Sequence, residues 1–117
     1  MDIEAFQDFC RSLPGTTEDM KWGHNLVFSV GLKMYAVVSF DEEPPRIGFK
    51  TEPALFEALT HQDHIIPAPY LARAHWVSLL RPDALPEDEL TGCVQDSYDL
   101  VFAKLTKKAQ RQIRGEG

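Results

Sequence analysis

Asn25 to Val30 and Lys33 to Phe40 are two runs of strand-forming residues, and only Gly31-Leu32 lies between them. A connection that short joins neighbouring antiparallel strands, and the glycine marks a tight hairpin turn. The hairpin dictates a sheet whose next members must be found on either side. Downstream, Asp41-Glu42-Glu43-Pro44-Pro45 cannot lie inside a sheet. Its prolines remove ladder donors and its three adjacent carboxylates repel one another, so it is a solvated loop. Arg46 to Lys50 then resumes as a short strand, and His75 to Leu80 alternates as a last strand ended by Arg81-Pro82. Upstream, Thr16 to Trp22 is polar and extended.

Helical spacing occupies the rest. Ile3, Phe6, Phe9, Cys10 and Leu13 form one apolar face over residues 2 to 13, with Asp2 as cap and Pro14-Gly15 as stop. Thr51 is expected to cap a second helix, with Pro53 in its first turn and Leu55, Phe56 and Leu59 on its buried side. His61 to Ala72, carrying Pro67 and Pro69, reads as loop with one helical turn near Tyr70 to Ala74. From Pro86, the recurrence of Leu90, Val94, Tyr98, Val101 and Leu105 predicts one long helix reaching about Ile113. The expected fold class is α+β: an antiparallel sheet of about five strands, with an N-terminal helix, a middle helix and a long C-terminal helix on one face. At 117 residues the chain is too short for two cores, so residues 1–117 are expected to form a single domain.

The apolar stretches Asn25 to Leu32 and Ile65 to Ala72 are far shorter than the roughly 20 residues a membrane-spanning helix needs. The acidic, amphipathic N-terminus lacks the layout of a secretory signal, so a cytoplasmic location is the default expectation. Cys10 and Cys93 lie in different predicted helices without metal-type spacing and are read as buried or half-buried thiols.

Candidate chemistry is sparse. His61 and His64, three apart, invite a metal reading with Asp63, His24 or His75 as further ligands, but no third ligand can be nominated, and no metal or cofactor is expected. Ser78, Ser97 and Cys10 fall within regular structure without a nucleophile motif, and the isolated glycines form no phosphate loop. No catalytic residue is nominated and an enzyme is not expected. The net charge of -6 is unevenly spread: Asp83 to Asp99 holds six acids and no base, whereas Lys104, Lys107, Lys108, Arg111 and Arg114 follow with no acid among them. Together with Lys33, Arg46 and Lys50 on the hairpin strands, the basic helix end (Lys104, Lys107, Lys108 and Arg111) could neutralise phosphates of a duplex without reading its sequence. The competing account is that cations are simply favoured at a helix C-terminus and on solvent-facing strand positions.

The stretch from Leu13 to His24, LPGTTEDMKWGH, followed by Leu26 to Ala36, resembles the opening of the MmcQ/YjbR family. His75-Trp76-Val77-Ser78-Leu79 is similar to that family's late strand, and Ser97-Tyr98-Asp99-Leu100-Val101 with Lys104-Leu105 to its final helix. The resemblance implies an α+β fold with an antiparallel sheet and a double-winged mode of DNA binding, with double-stranded DNA as partner and no catalytic residues. Where the family's hairpin tip is usually Gly-Gly or Gly-Asp, this chain has Gly31-Leu32, and an exposed Leu32 suits a protein contact. The alternative function is therefore a protein- or small-ligand-binding module using a groove between the sheet and the His61 to Tyr70 loop. A monomer is expected in either case.

Overall fold

The structure, a computed structural model, describes residues 1–115. Asp2 caps the first helix, α1 (Ile3–Ser12), its carboxylate accepting from the Ala5 N–H at 2.7 Å. Phe6 and Cys10 on its inner face are fully buried. The chain turns through Gly15 (φ 73°) into four successive strands: β1 (Thr16–Lys21), β2 (Asn25–Val30), β3 (Lys33–Ser39) and β4 (Arg46–Lys50). Next come α2 (Pro53–Thr60), β5 (Ile65–Pro67), a single 3-10 turn (Ala72–Ala74) and β6 (Trp76–Leu79). Two helices follow, α3 (Glu87–Ala103) and α4 (Lys107–Arg114).

All pairings are antiparallel, in the order β1-β2-β3-β4-β6-β5. The sheet thus has six strands where the sequence pattern predicts about five. The extra member is β5, only three residues long and ending in Pro67. A proline without N–H is tolerated there because β5 is an edge strand with a partner on one side only. The helix-facing rows run Phe28–Ala36–Phe49–Val77 and Leu26–Val38–Ile47–Leu79–Ile65. Phe6 and Cys10 of α1 and Leu90, Val94, Tyr98 and Val101 of α3 pack against them in one core.

Two local expectations are corrected. Thr51 does not cap α2: the cap position is Glu52, with no side-chain bond, and Thr51 is instead buried, its hydroxyl donating to the His75 carbonyl at 2.8 Å. The expected long C-terminal helix is present as the 17-residue α3, but it stops at Ala103 instead of reaching about Ile113, and a second helix, α4, follows. Thr106 breaks it by accepting from the Ala109 N–H at 3.1 Å, a side-chain N-cap that starts α4. Gln110 reaches back from α4, and its amide donates to the carbonyls of Phe102 and Leu105, both at 3.1 Å, satisfying acceptors at the end of α3. The 3.6-residue apolar period runs through Leu105 because Leu105 is still a core residue, which hides the break from a periodicity reading.

β3 carries an irregularity opposite Phe28 and Ser29, where Tyr35 is the additional residue. Its ring is wholly buried, and its hydroxyl donates to the Cys10 carbonyl at 3.1 Å and meets the Thr16 hydroxyl at 2.8 Å. Across the gap that the irregularity opens, the Ser97 hydroxyl of α3 donates to the Tyr35 carbonyl at 2.7 Å and accepts from the Lys50 N–H at 2.9 Å. One side chain thereby stitches α3 to both β3 and β4.

Candidate nucleic-acid interface

The anchoring of α3 decides where the cations fall. Ser97 sits by Tyr35 near the start of β3, and just past the end of α3 Leu105 meets the β2–β3 turn. A Cβ on Gly31 would stand 2.6 Å from both Leu105 methyls, so the hairpin tip rests directly on the α3–α4 junction. Gly31 and Leu32 both take positive φ (57° and 70°), the paired left-handed conformation of a tight hairpin turn. That geometry leaves Leu32 97% exposed at the tip.

Lys33, next in the chain, is therefore at the same pole of the molecule as Lys104, which precedes Leu105. Lys50 at the end of β4 joins them: burial and the neighbouring Lys104 charge hold its ammonium below the usual lysine range. Lys50 is not free, however, because its Nζ donates to the Ala74 carbonyl at 2.6 Å and closes the 3-10 turn. Lys107, Lys108 and Arg111 lie exposed on α4, whose inner side is occupied by Ala109, Gln110 and Ile113. Ile113 anchors that side against Gly15, where a Cβ would come within 2.8 Å of its Cγ2. Arg114 lies over the Phe102 ring, 4.9 Å from its centroid.

Arg46 is the member that does not belong. Antiparallel register puts it opposite Ser39, at the other end of β4 from Lys50, and its guanidinium is 3.9 Å from Glu42. The seven cations nominated from sequence thus do not share one face: six gather at one pole and Arg46 sits at the other. That other pole is acidic, carrying the Asp41-Glu42-Glu43 loop and the first turn of α3 with Glu87, Asp88 and Glu89.

The split of the last helix changes the meaning of two charges. On a single helix all the cations would fall near a C-terminus, where the dipole favours them. Lys107 and Lys108 instead occupy the first turn of α4, beside its N-terminal N–H groups, where the dipole opposes positive charge. Helix stability does not account for lysines there.

The other sequence candidates separate. His61 lies just past α2 with Nδ1 2.7 Å from the Glu57 carbonyl, and His64 sits in the following turn at φ 68°, so the two share no helical face. No group of three or more His, Cys, Asp or Glu residues suited to a metal occurs among the described residues. Cys10 is buried, which pushes its thiol up to about 12, and burial pushes Cys93 up to about 11. A cavity of about 410 Å³ between α2 and α3 is lined by Glu52, Asp96 and Asp99 among others, a rim that repels phosphate. A second, beside the His61 to Tyr70 loop, is lined by Pro44, His64 and residues 80–83. No helix of the described residues is long and apolar enough to cross a membrane.

One six-stranded antiparallel sheet with α1 and α3 on a single face, and a basic tip where hairpin and helices meet, defines an α+β domain with known counterparts. The crystal structure of the Deinococcus radiodurans protein DR2400 superposes with a TM-score of 0.84 at 30% identity, covering 98% of this chain and 88% of that one. A Pseudomonas syringae protein shares the fold with a TM-score of 0.71 at 24% identity, covering 86% and 99%. The YjbR family model matches residues 11–100, and the chain belongs to the YjbR family. YjbR of Escherichia coli K12 is 28% identical over 118 aligned positions, spanning 97% of this chain and 98% of its own. YbdF of Escherichia coli O157:H7 is 29% identical over 91 positions, covering 75% and 73%.

Proposed function

We propose that this domain binds double-stranded DNA through its phosphate backbone, as a monomeric accessory module without catalytic activity. The contacts come from the pole formed by Lys33, Lys104, Lys107, Lys108 and Arg111, with Lys50 supporting the surface from beneath. The observation that carries the reading is the position of Lys107 and Lys108 at the N-terminus of α4. Ammonium groups beside free N–H donors and the positive end of a helix repel their surroundings unless an anion joins them, and a phosphate fits that arrangement. The net charge of -6 is unevenly spread: no acid lies between Lys104 and Arg114, and Asp41, Glu42, Glu43, Glu87, Asp88 and Glu89 lie at the far pole. Leu32, held clear of the protein on the hairpin tip, supplies an apolar contact beside the cations.

Anisotropy of a labelled duplex titrated with the protein at several salt concentrations tests this. Five phosphate contacts give a log–log salt slope of about -4.5, hence a loss of roughly 500-fold between 50 and 200 mM salt. Lys107→Glu with Lys108→Glu should flatten the slope by about two and weaken binding at low salt. Arg46→Glu should change little. Absence of binding at low salt, or equal losses from Arg46 and the α4 lysines, would overturn the proposal.

A further inference from the structure

The acidic pole carries exposed apolar side chains that the core does not use. Trp22 is 69% exposed, Met20 52% and Phe40 40%. They belong to one corner of the sheet. Met20 is opposite Leu26, Leu26 is opposite Val38, and Phe40 follows two residues later on the same face. The Phe40 N–H donates to the His24 carbonyl at 2.9 Å, which fastens Phe40 beside the turn that presents Trp22. Trp22 adopts φ 54° in front of Gly23 at φ 77°, a turn whose first position ordinarily takes Asn, Asp or Gly. A tryptophan there strains the backbone and stays out of the core, which is the pattern of a contact residue.

The surroundings identify what it contacts. Asp41, Glu42 and Glu43 follow Phe40 directly, and the loop from Leu80 to Asp83 that leads to Glu87, Asp88 and Glu89 meets Pro44 across a shared cavity. His24 is 3.5 Å from Asp41, and Arg46 is 3.9 Å from Glu42, so the basic side chains beside these acids are already engaged. Lys21 alternates to the sheet face opposite Met20. Exposed aromatic surface beside an acidic rim calls for one occupant: a cation on an apolar stem.

We propose that this corner docks a lysine- or arginine-bearing segment of a protein partner, with the cation over the Trp22 ring, its alkyl stem on Met20 and Phe40, and neighbouring charges on Asp41, Glu42 and Glu43. The docking does not depend on the DNA reading and lies at the opposite end of the molecule.

Trp22 itself reports the event, because the other tryptophan, Trp76, is only 4% exposed. Labelled nine-residue peptides alternating Arg with Leu, Lys with Leu, and Glu with Leu would be titrated at low salt, following Trp22 emission and peptide anisotropy. The basic peptides should bind saturably with a shift of Trp22 emission, and the acidic peptide should not. Trp22→Ala should weaken binding by about tenfold, as truncation of an aromatic anchor does. The combined Asp41→Asn, Glu42→Gln and Glu43→Gln variant should weaken it and flatten its salt dependence, while Lys107→Glu with Lys108→Glu should leave it unchanged. Circular dichroism should show Trp22→Ala folded, since the side chain is outside the core. Binding that ignores Trp22, equal binding of the acidic peptide, or no response to either basic peptide would overturn the proposal. So would sedimentation showing self-association lost in Trp22→Ala, or a Trp22 response to phosphatidylglycerol vesicles alone.

Discussion

Ser97→Ala removes one oxygen atom from a point that three elements share. The hydroxyl donates to the Tyr35 carbonyl at 2.7 Å and accepts the Lys50 N–H at 2.9 Å, and Ser97 itself is wholly buried. Alanine fills nearly the same volume, so the cavity contribution is small and the cost is that of two orphaned backbone groups. A buried donor or acceptor left without a partner costs about 1–3 kcal/mol, so the pair should cost about 2–4 kcal/mol, with the half-buried Lys50 N–H at the low end. For a domain of this size that is a large share of a stability of about 5–15 kcal/mol. Urea unfolding followed by tryptophan fluorescence should show the midpoint lowered by about 1–2 M at an unchanged slope of about 2 kcal/mol per M. Hydrogen exchange gives a local check, because the Lys50 amide should lose its protection before its neighbours in β4. A loss under about 0.5 kcal/mol would mean that Tyr35 and Lys50 can bond to each other once the hydroxyl is gone, and that Ser97 does not hold α3 to the sheet.

Alkaline pH should destabilise the fold. Burial raises the Cys10 thiol from 9.0 to about 12 in the folded state, so above about pH 9 the unfolded chain gives up a proton that the folded one keeps. Stability then falls as pH rises towards 12, by about 1.4 kcal/mol per pH unit for this group, and the buried Tyr35 phenol adds in the same direction above 10. Urea midpoints that stay flat between about pH 8 and 10.5 would contradict this. In native protein at neutral pH, thiol reagents should modify Cys10 only at the rate of unfolding, with Cys93 slow but faster, as mass spectrometry over time would show. Gly31→Val should cost about 2–4 kcal/mol in urea unfolding, since a Cβ meets both Leu105 methyls at 2.6 Å and the backbone is left-handed. The same change should lower duplex affinity by parting Lys33 from Lys104.

Elements specified by a few neighbouring residues are legible in the chain itself. The two-residue spacing around Gly31-Leu32 specifies the β2–β3 hairpin, the period of Ile3 to Leu13 specifies α1, and Arg46 to Lys50 specifies β4. Charge asymmetry along the chain likewise points to the basic end near Lys104 to Arg111. The platform at Met20, Trp22 and Phe40 is not legible there, because aromatics in a small domain are ordinarily core and only strand pairing brings these three to one exposed corner.

Local pattern, then, determined the class of the fold, most of its elements and the presence of a basic end, since periodicity, turn residues and charge order are properties of adjacent residues. Tertiary structure alone decided the edge strand β5, which exists only because β6 offers it a ladder, and the fate of Arg46, which register carries to the acidic pole. It also decided the function of Thr106, whose hydroxyl became a cap because Leu105 was already held in the core against Gly31. Each of these depends on contacts between residues distant in sequence, whose energies no short window of the chain contains.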